Sequence, residues 1–217
     1  MILENPHRSP LCDSPREEMA SALTHGLGIL VGAVGLGVMI WNSDGDMFKI
    51  IASLVFGFSL ILLYSISTLY HLTTSPQRKS FFQKLDHAGI YLLIAGSYTP
   101  ITLITLRGVA GWTLFGIVWV LAIVGMVIKL FWKKNKPHWI STTLYLAMGW
   151  LILFAFKPLN QVMPSHGVSL LVAGGFSYSF GIIFYAWNRL LFNHALWHLF
   201  VLGGSICHLL AVIFYVI

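Results

Sequence analysis

Charge is what this chain has least of. Asp, Glu, Lys and Arg make up 9% of its 217 residues, against 57% for the hydrophobic types. A water-facing domain of this length carries roughly 25% charged residues, so a solvated surface is excluded and the solvent is lipid. Cysteine is nearly absent as well. Cys12 falls in the N-terminal tail and Cys207 in the last apolar run, which indicates no disulfide framework and leaves Cys207 as a small packing residue. The first nineteen residues, MILENPHRSPLCDSPREEM, lack the apolar core of a secretory signal, so the first membrane helix is expected to stay uncleaved. Repeats, low-complexity tracts and a soluble domain are missing too. The formal charge of +6 is carried by residues scattered singly or in short loops, which argues against a nucleic-acid partner.

What the chain does have is long apolar runs. A spanning helix needs about 20 mostly apolar residues, and the few charges divide the sequence into segments of that size. Spans are expected at Ala20–Trp41, Ile50–Tyr70, Ala88–Leu106, Trp112–Leu130, Trp139–Phe156, Gly167–Asn188 and His194–Ile217. The fold class is therefore an all-α integral membrane protein, a seven-transmembrane helix bundle over residues 20–217 behind a tail of residues 1–19. With the N-terminus cytoplasmic and the C-terminus outside, the inside segments hold Arg8, Arg16, Arg78, Lys79, Lys84, Lys129, Lys133, Lys134, Lys136 and Arg189. The outside segments hold only Lys49, Arg107 and Lys157. Such a bias of Lys and Arg sets orientation, and dropping one span would put the later basic loops on the wrong side.

Polar side chains fall at one depth of this bundle. Asp86 follows the basic run TTSPQRKSFFQK and is expected to open the third helix at the cytoplasmic face, where His71 ends the second. His194 and His198 open the seventh from the same side, and His25 lies near the start of the first. His194 and His198, four apart, share a helix face about 40° and 6 Å from one another. Ser67 stands one turn deeper than His71 by the same spacing, and Glu18, Ser21 and His25 share a face of the first helix. A catalytic tetrahedral zinc needs three protein ligands and an open position. His71, His194 and His198 can supply the three, with Asp86 as orienting group or general base and Ser67 bonding water or a substrate carbonyl. Zinc lowers the pKa of water toward 7, although imidazoles also suit copper, iron and nickel.

Each of these residues has a plainer reading. A His pair four apart can serve polar helix–helix contacts. Convergence with His71 and Asp86 favours a site, because intramembrane ionisable groups are functional by default. His208 lies about 15 Å beyond His198 along the helix, too far to join the same metal, and is expected to make an interhelical hydrogen bond. His87 reads as interfacial. His7, His138 and His166 fall in the tail and loops and take no role. Glu18 and His25 are candidate partners that orient the ligands. Thr99-Pro100 marks a kink in the third helix, and Gly203-Gly204 permits close helix packing.

The motifs together resemble a known family. Glu18-x-x-Ser21-x-x-Thr24-His25, Ser67-x-x-x-His71 with Asp86, and His194-x-x-x-His198 with His208 look like the motif set of the progestin and adipoQ receptor family. STLYH, LDHAGIYLLIAGSYTP, YLAMGW and NHALWH are similar to its bacterial, hemolysin III-like branch. The resemblance covers residues 17–217. It implies seven helices with an N-in topology, a bacterial inner (plasma) membrane location and a zinc held at His71, His194 and His198 near the cytoplasmic face. It also implies a place for Asp86 beside the water that the metal activates. Ser21 stands where the family motif commonly has Asn. The wider group resembles alkaline ceramidases, which use a similar Ser, Asp and three-His set. Three functions from different classes are then expected. The first is a zinc-dependent hydrolase of lipid amide or ester bonds, with membrane lipid as substrate. The second is a lipid sensor with structural zinc and no turnover. The third is a pore-forming cytolysin, disfavoured because no span carries a continuous charged lane.

Overall fold

The computed structural model describes residues 14–131, 138–187 and 189–217, and all regular structure among them is helical. The helices are α1 (Pro15–Trp41), α2 (Met47–Leu72), α3 (Pro76–Pro100), α4 (Val109–Phe131), α5 (His138–Gly149), α6 (Phe156–Val162), α7 (Ser165–Ala186) and α8 (Asn193–Tyr215). A π-helical turn, Ile101–Thr105, extends α3, and a 3₁₀ segment, Leu151–Ala155, joins α5 to α6 into one crossing. Seven segments of the described residues are long and apolar enough to span a membrane, as expected. Arg8, Lys133, Lys134 and Lys136, on which part of the charge reading rests, lie outside the described residues, as does Cys12.

Successive helices α1 to α4 pack on one another, as do α7 and α8, and α8 returns against α1. Lipid turns the usual hydrophobic order around. Of the seven spans α3 is the least apolar and the most buried, while α4 is the most apolar and buries far less. On α1, Leu23, Leu27 and Leu30 form an exposed stripe, as a lipid-facing surface requires. Close approach comes instead through small residues. A Cβ on Gly28 would lie 2.7 Å from the Tyr64 ring, so that tyrosine reaches its place only because position 28 is bare.

Helices α1 and α3 start well before the boundary hydropathy indicates. Ser14 caps α1, accepting from Glu17 N at 3.2 Å with Pro15 in the first turn, so Glu17 and Glu18 already belong to the helix. Pro76 opens α3, which turns most of the supposed basic loop into helix and places Asp86 inside it rather than at its start. The span Pro76–Thr105 has 30 residues, about 45 Å long, against a hydrocarbon core of about 30 Å. Its first turns therefore project into the headgroup region, where Arg and Lys are at no disadvantage.

The expected kink at Thr99-Pro100 is a π turn. Proline cannot donate to the carbonyl one turn back, and the ladder re-forms with one residue extra, Leu106 N bonding Ile101 O at 2.9 Å. Thr99 and Thr102 hydroxyls donate to Ala95 O at 2.8 Å and Tyr98 O at 2.9 Å. The fifth crossing differs more. It runs from Ile140 to Val162 rather than ending at Phe156, and it breaks after Gly149, so Lys157 lies in α6 and not in a loop. Tyr98 bridges that break: Ile152 N donates to its hydroxyl at 2.9 Å, and the hydroxyl donates to Gly149 O at 2.8 Å, with Met148 O at 3.1 Å. In an unbroken helix Ile152 N would bond Met148 O directly, so the phenol is spliced into the ladder. Tyr98→Phe leaves buried backbone groups unpaired at about 1–3 kcal/mol each. The expected outcome is a clearly lowered melting temperature in detergent, measured by thermal unfolding, with the helix content of the folded protein unchanged.

Candidate metal centre

One end of the bundle gathers the start of α1, the end of α2, the start of α3 and the start of α8. His71 sits in the last turn of α2, and His194 and His198 occupy successive turns at the start of α8. All three are buried, and one ligand nitrogen from each lies within 4.8 Å of the others, so the group can hold a metal ion. Ring centroids are 4.5 Å apart for His194 and His198, 4.9 Å for His71 and His198, and 5.1 Å for His71 and His194.

The surroundings fix which nitrogen is offered. His71 Nδ1 donates to Glu18 Oε2 at 2.7 Å, and His198 Nδ1 donates to the Ser21 carbonyl at 3.1 Å, with Thr24 Oγ1 at 3.3 Å. With Nδ1 as donor, the Nε2 lone pair faces inward, as in metal-bound imidazoles generally. The Nε2 atoms of His194 and His198 are buried and have no hydrogen-bond partner among the described residues. Buried polar groups left so are rare, and a cation bound by neutral imidazoles would satisfy them. The donor set, all nitrogen and closely spaced, fits zinc. His25 stacks face to face on His198, centroids 3.5 Å apart and planes at 5°, and meets Tyr64 edge-on at 4.9 Å.

Asp86 and Ser67 form a second group beside the first. Both are buried, and the Ser67 hydroxyl is turned toward the Asp86 carboxyl without closing a hydrogen bond of good geometry. Ser67 stands one turn from His71 on the same face of α2, which links the groups. Asp86, His87 and His25 line one part of a cavity of about 160 Å³ whose remaining walls are mostly apolar, with Tyr98, Trp150, Tyr178 and His208 among them. A single water needs only about 10–15 Å³ on this measure, so the space suits a larger, apolar guest.

The structure thus brings His71, His194 and His198 together, sets Glu18 on the first and His25 on the third, and pairs Ser67 with Asp86. His208 stays apart, bonding Leu171 O of α7 at 3.2 Å, the interhelical bond expected of it. His87 is not interfacial but buried. Its Nδ1 donates to Gln83 O at 2.7 Å, one turn back, and its own carbonyl accepts from Tyr145 at 2.8 Å. Sequence reasoning missed Thr24 as a partner of His198, although its spacing from Ser21 puts both on one face of α1. It also missed that the Ser21 contact is a backbone carbonyl, indifferent to whether Ser or Asn stands there.

These features define a multi-pass helical membrane protein with a buried histidine cluster at one end. Comparison with known proteins agrees. The family model described as Haemolysin-III related matches residues 14–209. The chain is 48% identical over 204 residues to Hemolysin-3 of Bacillus cereus, covering 93% of each chain. It is 45% identical over 202 residues to the Hemolysin-3 homolog of Bacillus subtilis (strain 168), covering 92% of this chain and 94% of the relative. A more distant relative is the human Monocyte to macrophage differentiation factor, 28% identical over 204 residues, covering 90% and 83%. The chain belongs to the haemolysin III-related family, and its location as a multi-pass protein is consistent with a bacterial plasma membrane.

Elemental mass spectrometry of detergent-purified protein is expected to find about one zinc per chain, the stoichiometry of a three-ligand site. His194→Ala/His198→Ala, folded by its circular dichroism, is expected to carry none.

Proposed function

We propose that this protein is a zinc-dependent hydrolase of lipid amide or ester bonds, working at the cytoplasmic face of the membrane with its N-terminus inside. The observation that carries this reading is a chain of neighbours: Asp86 lines the apolar cavity, Ser67 is turned toward its carboxyl, and one turn along α2 from Ser67 stands His71, whose ligand nitrogen lies within 4.8 Å of those of His194 and His198. His71, His194 and His198 would hold the metal, which when bound supplies Lewis acidity and a lowered pKa for water.

The remaining steps belong to the chain's own residues. The cavity takes the acyl chain and its apolar walls keep bulk water from the scissile bond. The Ser67 hydroxyl, which has no other partner among the described residues, donates to the substrate carbonyl oxygen. The Asp86 carboxylate accepts a proton from the attacking water as the new carbon–oxygen bond forms. It returns that proton to the leaving nitrogen or oxygen as the old bond breaks, the ordinary alternation of general base and general acid. His25, stacked on His198, holds the plane of that ligand ring. Acid should inactivate the protein, because protonated imidazoles release metal. A second reading, a lipid sensor with structural metal, is favoured by one feature: the cluster ties α2 to α8 and, through Glu18 and the Ser21 carbonyl, to α1.

Asp86→Ala and Ser67→Ala separate the two. Both should keep their zinc. Turnover of amide- and ester-linked lipids in liposomes should fall by about 10²–10⁴-fold for Asp86→Ala, the usual contribution of a general acid–base group, and by a smaller factor for Ser67→Ala. Undiminished turnover in both sinks the hydrolase. No turnover in wild type, with a melting temperature that drops on chelation, favours the sensor. A phosphatase fused after Ile217 should be active outside the membrane if the N-in orientation is right.

A further inference from the structure

Beside the histidines stands a lysine that no motif singles out. Lys79 lies in the first turn of α3, within the segment the sequence presents as a basic loop, and turns back onto α1 and α2. Its Nζ is 2.9 Å from Glu18 Oε1 and donates to Tyr70 O at 3.2 Å, with Thr73 O at 3.4 Å. It also sits 4.7 Å from the centre of the Tyr70 ring. The other oxygen of the same carboxylate, Glu18 Oε2, accepts from His71 Nδ1 at 2.7 Å. Glu18 is thus divided, one oxygen to a fixed cation and one to an imidazole of the candidate metal centre.

A plainer role exists. A lysine at the end of α2 satisfies its last carbonyls and complements the helix dipole. That accounts for Tyr70 O and Thr73 O, but not for the contact with Glu18. Nor is the pair an exposed ion pair of the kind that contributes little, since both side chains are only 16% exposed.

We infer that Lys79 is a positioning residue of the metal centre. It pins Glu18 Oε1 so that Oε2 meets His71 Nδ1–H and the ring presents Nε2 to His194 and His198. The inference rests on the metal-centre reading given above and adds to it a residue that touches no ligand atom. A glutamate side chain has three torsions to fix, and ordering them costs entropy at each metal-binding event. A cation held by two carbonyls and an aromatic face does that ordering in advance. An opposing effect is present, because the same positive charge draws electron density away from Oε2 and weakens its hold on His71. The His71–Glu18 contact is 2.7 Å with Lys79 in place, so the shared charge does not open it, and the affinity of the Lys79 variants measures which effect prevails.

The test is zinc affinity, read by competition with a chromophoric chelator on the purified full chain in detergent. It compares wild type, Lys79→Met, Lys79→Arg, Glu18→Gln and the Lys79→Met/Glu18→Gln double variant, with the melting temperature of each metal-free form. Lys79→Met should weaken zinc binding by about 10-fold, the lower end of the range for groups behind a metal ligand, and Lys79→Arg should restore most of it. Once Glu18 is Gln, removing Lys79 should change nothing further. If Lys79→Met does not purify folded, Lys79→Gln, which keeps a donor for the two carbonyls, takes its place with the same expectations. Wild-type affinity in Lys79→Met, or an effect that simply adds to that of Glu18→Gln, overturns the inference and leaves Lys79 a helix cap. Failure of wild type itself to bind zinc overturns the metal-centre reading, and this inference with it.

Discussion

Lipid offers no hydrogen bond to an imidazole, and the organisation of this protein follows from that constraint. Every polar side chain carried into the bundle must find its partner inside it. His71 finds Glu18, His198 finds the Ser21 carbonyl, and Tyr64 and Tyr178 meet at Ser205 Oγ, at 2.7 and 3.0 Å. Because the partners come from different helices, satisfying them fixes how α1, α2, α7 and α8 pack. Ring nitrogens left over among the described residues include both of His25 and the Nε2 atoms of His194 and His198, the last two in the group that can hold a metal ion.

The same constraint separates the chemistry from the scaffold. Helices α4 and α7 bear mostly apolar surface toward lipid, whereas α1, α2, α3 and α8 carry most of the buried hydroxyls, carboxyls and imidazoles. The result is a site without loops: its groups project from long helices and not from the segments that connect them. Rigid helical elements hold reacting groups in place better than loops do. A cavity that begins at Asp86 and continues between apolar walls suits a guest with one polar end.

Much of this is legible in the chain. The three histidines are found by spacing and depth, since four residues make a shared helix face and alternating spans return to the same side. Asp86 stands out because it is the one acid expected at the start of a span without another acid beside it. What stays hidden has physical causes. Hydropathy sees the charges of QRKSFFQK but not that they lie on a helix longer than the bilayer is thick, so Lys79 is read as part of a loop. The Ser21 contact is a carbonyl, and backbone atoms leave no trace in a residue pattern. His87 looks interfacial because its partner, Gln83 O, is likewise main chain. The break in the fifth crossing is invisible because the group that repairs it belongs to α3.

That repair has a mechanical consequence. A bilayer presses on its proteins laterally, and a broken helix on the perimeter would be the first wall to yield. Here the break is fastened to α3, the most deeply packed helix of the seven, by a phenol that both donates and accepts. Trp150, just past the break, is fastened to α7 through Ser179 at 3.1 Å. The fifth crossing therefore cannot bow outward without tearing bonds to two neighbours. The bore of the cavity beside it is then set by the protein's own skeleton and not by the tension of the membrane around it.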